Sequence, residues 1–312
     1  STGEAIRNFA NYFEINRPDL LVLIGDRYEI FAISVAASLQ VIPIGHICGG
    51  STTVGGVDEF LRHSITKMSY LHFTTCETYR NRVIQLGESP DRVYNVGSLA
   101  IENCLNTKLL SRKVLCEELS IKKDVPYCLV TFHPVTLEIE SAESQLFELI
   151  QTLDILKEYH YIITLANADA GSRRINDIWG KEGKSRNNWT VIPSLGAKRY
   201  LSALNFCEMM IGNSSSGTSE GPAMSVPVIN IGDRQKGRVM GEGILSCNPI
   251  KSEILGAMNI AKSKKFRKII EGVISPFGDG NTSKKITEII RKVFHNDKID
   301  LKKQFYDIQH KV

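Results

Sequence analysis

Short apolar runs rich in β-branched residues and Leu alternate along the chain with longer stretches in which apolar residues recur every three to four positions. The first pattern is that of strands buried on both faces and the second that of crossover helices, so the alternation predicts parallel α/β sheet. In the first half it predicts strands at 20–24, 41–46, 71–74 and 92–96, with helices at 28–39, 58–69 and 77–86. Ile6, Phe9 and Phe13 repeat at helical spacing ahead of the first strand. The rhythm breaks at Gly97-Ser98, and 98–125 reads as helical and charged up to Lys122-Lys123-Asp124-Val125-Pro126.

The second half repeats the rhythm, with strands at 127–132, 161–165, 190–193, 209–211 and 228–231. A long helix is expected at 141–157, and shorter ones after Gly171, Ala197 and Ser216. A last helix is expected at 282–293. The chain thus divides into an N-terminal Rossmann-like domain with its linker at 1–125, a second at 126–275, and closing helices at 276–312 that could pack back on either domain. Two doubly wound sheets in series are expected to face across a cleft, with ligands beyond the carboxyl ends of their strands.

The 312 residues are about twice a domain of roughly 150, which agrees with two domains. Hydrophobic residues make up 42% and charged residues 23%, with 24 Gly and 10 Pro, which excludes disordered, collagen-like and disulfide-scaffold classes. A net charge of +4 over this length is too small to signal a nucleic-acid partner, although 298–311 is mildly basic. Seven cysteines without a CxxC pair point to buried reduced thiols and a cytoplasmic protein. No apolar run approaches the ~18–20 residues of a membrane span and no signal peptide opens the chain, so no membrane partner is expected. Ser1 leads at once into an amphipathic pattern with no Met before it, and the expectation is that an N-terminal fragment has been removed.

Five segments carry candidate chemistry. Gly25-Asp26-Arg27 follows a buried strand, where Asp26 could serve as acid or base and Arg27 could hold phosphate; a helix cap with a surface ion pair explains it as well. His46 opens a loop with four glycines and three hydroxyls, Cys48-Gly49-Gly50-Ser51-Thr52-Thr53-Val54-Gly55-Gly56, which matches neither the P-loop nor the dinucleotide fingerprint. Helix spacing then places Asp58 with Arg62 and Glu59 with His63, while Leu61, Ile65 and Met68 form the buried stripe; acids at a helix start are also what the macrodipole favours. In Thr131-Phe132-His133-Pro134-Val135-Thr136, Pro134 forces extended geometry on His133 and stops the strand. A core histidine is the plainer account of His133, and His72, His160, His295 and His310 lack even that setting.

The fourth segment, Gly212-Asn213-Ser214-Ser215-Ser216-Gly217-Thr218-Ser219-Glu220, is a hydroxyl-rich turn opening a helix, where backbone N–H groups and hydroxyls suit phosphate and Glu220 suits a ribose. A helix cap explains one serine but not three. The fifth, Gly232-Asp233-Arg234-Gln235-Lys236-Gly237-Arg238, could clamp a diphosphate or be a solvated basic loop.

In order and spacing these segments, with Asn167-Ala168-Asp169-Ala170-Gly171, resemble the UDP-N-acetylglucosamine 2-epimerase family over nearly the whole chain. An arginine-rich segment after the histidine would mark the non-hydrolysing branch; Pro134-Val135-Thr136 points to the hydrolysing one. The resemblance implies two Rossmann-like domains of the glycosyltransferase B type, with the nucleotide held mainly by the second. It implies loss of UDP from C1 with proton removal at C2, then hydration of the glycal with C2 reprotonated from the opposite face. By position it makes Asp26 and Asp58 the acid/base groups with Glu59 in support. His133 and Arg27 would attend the departing diphosphate, Ser214, Ser215, Ser216 and Gly217 the phosphates, Glu220 the ribose and Arg234 the nucleotide. It implies no metal and no cofactor, a UDP-sugar substrate releasing UDP, and a homo-oligomer. Family members usually begin with a strand and a Gly-Thr-Arg turn that precede the match to Ser1, so part of the first sheet is expected to be missing. They also carry a glutamate at the place of Cys48 or Ser51, where this chain has none. A glycosyltransferase on the same scaffold and a catalytically impaired UDP-sugar-binding protein are the competing readings.

Overall fold

The computed structural model describes residues 1–53, 57–134, 139–167, 171–296 and 299–308. They fall into two units, one built from Ser1–Thr53, Val57–Glu102 and Pro276–Val312, the other from Asn103–Ser275. Residues 103–125 belong to the second unit. The reason is burial: Leu115, Cys116, Leu119 and Ile121 pack with Tyr127, Leu129 and Leu204.

The first unit runs α1 (Thr2–Ile15), β1 (Leu21–Ile24), α2 (Tyr28–Leu39), β2 (Ile44–Ile47), α3 (Asp58–Met68), β3 (Leu71–Thr74), α4 (Glu77–Gln85), β4 (Val93–Asn95) and the start of α5 (Leu99–Asn106). Its four strands form one parallel sheet in the order β1-β2-β3-β4. One core joins Phe13 of α1 to Ala36 and Ala37 of α2 and to Leu23 and Ile44 of the sheet. The other joins Ile47, Leu71, Phe73 and Val96 to Ile286, which returns from the far end of the chain. That return is closed where Gly97 and Gly278 meet: both have positive φ, a Cβ on Gly278 would lie 2.9 Å from the Gly97 Cα, and the Ser98 N–H donates to the Phe277 carbonyl at 2.7 Å. A side chain at either glycine would hold the two segments apart.

The second unit continues α5 and adds α6 (Arg112–Glu118), β5 (Tyr127–Thr131), α7 (Ile139–Leu153), β6 (His160–Thr164), α8 (Ser172–Gly183), β7 (Trp189–Ile192), α9 (Gly196–Phe206), β8 (Met210–Gly212), α10 (Ser216–Ala223), β9 (Val228–Ile231), β10 (Ile244–Cys247), α11 (Lys251–Lys262) and α12 (Lys264–Glu271). The chain then returns to the first unit as α13 (Thr282–Asn296). The second sheet is parallel in the order β10-β9-β8-β5-β6-β7. The chain leaves β5 outward through β6 and β7, then comes back to lay β8 on the other side of β5. This reversal is the topological switch point, where the loops leaving two adjacent strands diverge and open a crevice. β10 and α11 carry no strong apolar run: β10 is only partly buried, and the buried face of α11, Ile254, Ala257, Met258 and Ala261, is half alanine.

All seven cysteines are free thiols. No helix among the described residues is long and apolar enough to cross a membrane.

Candidate active site

At the carboxyl end of the first sheet, Arg62 is the organising group. Its side chain is 1% exposed, and a guanidinium without water needs protein acceptors for all five N–H groups. Nε donates to Asp26 Oδ2 at 2.7 Å, and Nη2 is ion-paired with the same oxygen and donates to Thr53 Oγ1 at 2.8 Å. Nη1 donates to Glu59 Oε2 at 2.7 Å and to the Ser51 carbonyl at 2.9 Å. One cation thus fixes two carboxylates from separate segments and the start of the glycine loop. Glu59 also accepts the Thr53 N–H at 2.5 Å and faces His63 Nε2 at 3.2 Å. Burial alone would raise its pKa, but the Thr53 N–H, Arg62 and His63 together bring it below the ordinary carboxylate value.

The turn that carries Asp26 is fixed from below. His46 is fully buried in β2; its Nε2 donates to the Gly25 carbonyl at 2.9 Å and its Nδ1 faces Thr66 Oγ1 at 3.2 Å. Burial lowers its pKa to about 4, so it is a neutral strut at pH 7. Cys48 follows the same strand in a left-handed conformation (φ 72°), and burial, aided by the charge of Asp26, pushes its thiol up to about 11. Asp58 is exposed on the first turn of α3. Arg27, half exposed at the start of α2, pairs with Glu29 at 3.4 Å.

In the second unit the candidate residues gather at the switch point. His133 leaves β5 and is 6% exposed, and its Nδ1 has no hydrogen-bond partner among the described residues. Burial, then the nearby charge of Arg234, lowers its pKa to about 4. β8 ends at Gly212, which approaches β5 so closely that a Cβ there would collide with the Thr131 carbonyl. The next residue, Asn213, is 1% exposed and bonds both backbone groups of His133. Its carbonyl accepts from Arg234 Nη1 at 3.1 Å and Gln235 Nε2 at 2.7 Å. A cavity of about 340 Å³ opens here, lined by Thr131, His133, Asn167, Ser194, Tyr200 and Ser214 among others.

The hydroxyl turn stands at the head of α10. Ser214 Oγ accepts the Ser216 N–H at 3.3 Å, the Gly217 N–H goes to the Ser214 carbonyl at 3.1 Å, and Ser215 is exposed. Gly217 and Gly221 lie against Val228, so their missing side chains let α10 close on β9. Glu220 has its pKa raised by burial. Of the segments singled out in the sequence, Val54, Gly55, Gly56, Val135, Thr136, Ala168, Asp169, Ala170 and His310 lie outside the described residues.

Helix spacing pairs Arg62 with Asp58, but burial draws it to Asp26, and that burial has no sequence signal. In the sequence Asn213 is only a residue between a strand and a serine turn. His72, which has no chemical setting in the sequence, bonds the buried Glu88 at 3.0 Å.

The sequence model of the family described as UDP-N-acetylglucosamine 2-epimerase matches residues 1–291. The chain is 39% identical to the polysialic acid biosynthesis protein P7 of Escherichia coli, over 99% of this chain and 78% of that protein. It is 40% identical to the hydrolysing GDP/UDP-N,N'-diacetylbacillosamine 2-epimerase of Campylobacter jejuni, over 86% of this chain and 69% of that one. The fold superposes on the UDP-GlcNAc 2-epimerase of Neisseria meningitidis, crystallised with UDP-GlcNAc, with a TM-score of 0.81 at 20% identity, covering 93% of this chain and 81% of that one. The two parallel α/β sheets in series are thus of the glycosyltransferase B type, and the chain belongs to the UDP-N-acetylglucosamine 2-epimerase family, on the side of its hydrolysing members.

Proposed function

We propose that the chain is a hydrolysing 2-epimerase of UDP-linked 2-acetamido sugars. The C1–O bond to UDP breaks, a base removes the C2 proton, and a 2-acetamidoglycal forms. Water then adds at C1 and a proton returns to C2 from the other face, so UDP and the free 2-epimeric sugar leave. The observation that carries this reading is the pair of carboxylates, Asp26 and Glu59, fixed on one buried guanidinium at a sheet's carboxyl end. The Thr53 N–H, Arg62 and His63 favour the ionised form of Glu59, and Asp26 is held beside it on the same guanidinium. Proton transfer on two faces needs a further group, and exposed Asp58 on the first turn of α3 is the candidate.

The second unit supplies the nucleotide groups in this reading. Burial keeps the His133 ring neutral at pH 7; a diphosphate beside it stabilises the imidazolium, so binding and proton uptake go together and the leaving group gains a charged partner. Arg234, the Ser214–Ser216 turn and the start of α10 add hydrogen bonds and positive potential, and Glu220 accepts the ribose hydroxyls. The family description and the name of the Campylobacter relative support two sugars, N-acetylglucosamine and its 2,4-diacetamido-6-deoxy analogue. Incubation with each UDP-sugar, with free UDP and reducing sugar followed separately, tests the proposal and chooses between them.

One observation favours a second reading, a UDP-sugar-binding protein of low activity. The family resemblance implies a glutamate at the place of Cys48 or of Ser51, where this chain has a thiol and a hydroxyl, and a thiol held near 11 is no base at neutral pH. Stoichiometric UDP-sugar binding without UDP release would favour it. Transfer of the sugar to an acceptor other than water would instead identify a glycosyltransferase.

A further inference from the structure

We infer that Asn213 is a positioning residue that sets the direction of the His133 imidazole, an inference that rests on the nucleotide reading of the second unit. The ladder between β5 and β8 ends with Thr131 opposite Gly212. Beyond it the two chains diverge, one into Pro134, which has no N–H, and the other into the serine turn. For one residue only, the Asn213 side chain takes the place of the missing strand. Its Oδ1 accepts the His133 N–H at 2.7 Å and its Nδ2 donates to the His133 carbonyl at 2.8 Å.

Both polar backbone groups of His133 are thereby spoken for by a single buried amide, and the backbone torsions that aim the ring are fixed. The ring needs this, because its own Nδ1 finds no partner among the described residues. The same Asn213 holds Arg234 and Gln235 through its carbonyl, and Gln235 is fully buried. A residue that touches no ligand group with its own side chain thus ties the ends of β5, β8 and β9 into one frame. The amide suits this because it accepts and donates through two separate atoms side by side; a carboxylate has no donor, and a hydroxyl carries both roles on one atom.

The test uses the full chain and UDP as the probe. Asn213→Ala and the milder Asn213→Ser are made alone and in a His133→Ala background, each checked for a cooperative thermal transition. UDP affinity is measured by calorimetry and the histidine resonances are titrated by NMR. The inference expects UDP affinity to fall about tenfold or more in Asn213→Ala and less in Asn213→Ser, the scale for two lost hydrogen bonds. It expects almost no further fall when His133 is already Ala, and a His133 titration that moves up from about 4 towards 6.5 as the ring is released. Folded Asn213 variants with unchanged affinity and unchanged titration overturn it, as do losses that simply add in the double variant. If Asn213→Ala does not fold, the same comparison in Asn213→Ser decides. Unchanged UDP affinity in His133→Ala alone contradicts the nucleotide reading of His133 instead, so the two failures are separable.

Discussion

Arg62 Nε and Asp26 Oδ2 meet at 2.7 Å across 36 residues of sequence, with the guanidinium 1% exposed and the carboxylate 25% exposed. This pair sets both the stability and the chemistry expected of the first unit. Arg62→Met leaves Asp26 and Glu59 without their shared cation, and the predicted loss is about 3 kcal/mol, the lower end for breaking a buried ion pair because both acids keep some water. Urea unfolding measures it. Asp26→Asn keeps an acceptor for Arg62 but not a base, so turnover should fall ~10²–10⁴-fold with UDP affinity nearly unchanged. Parent-like turnover in Asp26→Asn removes Asp26 from the proton transfers.

A second carboxylate governs the response to acid. Glu88 is 1% exposed and accepts from His72 at 3.0 Å, Lys67 at 2.6 Å and Lys303 at 2.9 Å. Lys303 also donates to the carbonyls of Lys67 and Ser69, so this lysine near the chain's end caps α3. Burial would raise the Glu88 pKa, but the three donors outweigh it and hold the group at about 2 against an ordinary 4.5. The unfolded chain therefore takes up a proton before the folded one does. The contribution of Glu88 is complete above pH 4.5 and is lost as pH falls towards 2, up to about 3 kcal/mol. His46 and His133, both held near 4 by burial, add an earlier loss between pH 6.5 and 4, since the unfolded imidazoles protonate first. Stability measured from pH 7 to pH 2 should fall in these two stages, and Glu88→Gln should flatten the second.

Glu220→Ala should weaken UDP binding by about 1–3 kcal/mol without unfolding the second unit, the range for hydrogen bonds to a charged group. Burial already raises the Glu220 pKa, so removing the carboxylate relieves a desolvation cost and the fold tolerates it. Calorimetry with UDP checks this; an unaltered affinity excludes Glu220 from ribose recognition.

The loop without its acid makes a further prediction. The Ser51 carbonyl is held by Arg62 at 2.9 Å, so a side chain at this position starts from a fixed backbone beside Asp26 and Glu59. Cys48 starts from a left-handed backbone already unfavourable for a side chain. If the missing carboxylate limits the rate, Ser51→Glu should raise turnover ~10²-fold or more and leave UDP affinity unchanged, while Cys48→Glu should gain less. A parent protein that already turns over at ~1–10³ s⁻¹ contradicts the premise.

Much of this architecture is legible in the sequence because fully buried parallel strands leave an unmistakable mark. The expected strands 71–74 and 228–231 and the helix 28–39 are β3, β9 and α2 as found. β10 escaped because an edge strand half open to water keeps no continuous apolar run, and α11 because small buried residues weaken its stripe. The candidate segments were legible as strand ends followed by polar turns. Their wiring was not: that Arg62 serves Asp26, that Asn213 clamps His133, and that Lys303 reaches Glu88 over 215 residues are consequences of tertiary packing that local spacing cannot carry.

The central claim, elimination to a glycal followed by hydration, is tested most directly by running the reaction in D2O and reading the sugar product by proton NMR. The account predicts free UDP together with a 2-epimeric reducing sugar that carries deuterium at C2, because the proton returned there comes from a group that exchanges with solvent. Release of UDP with a sugar of unchanged configuration and protium at C2 would contradict it.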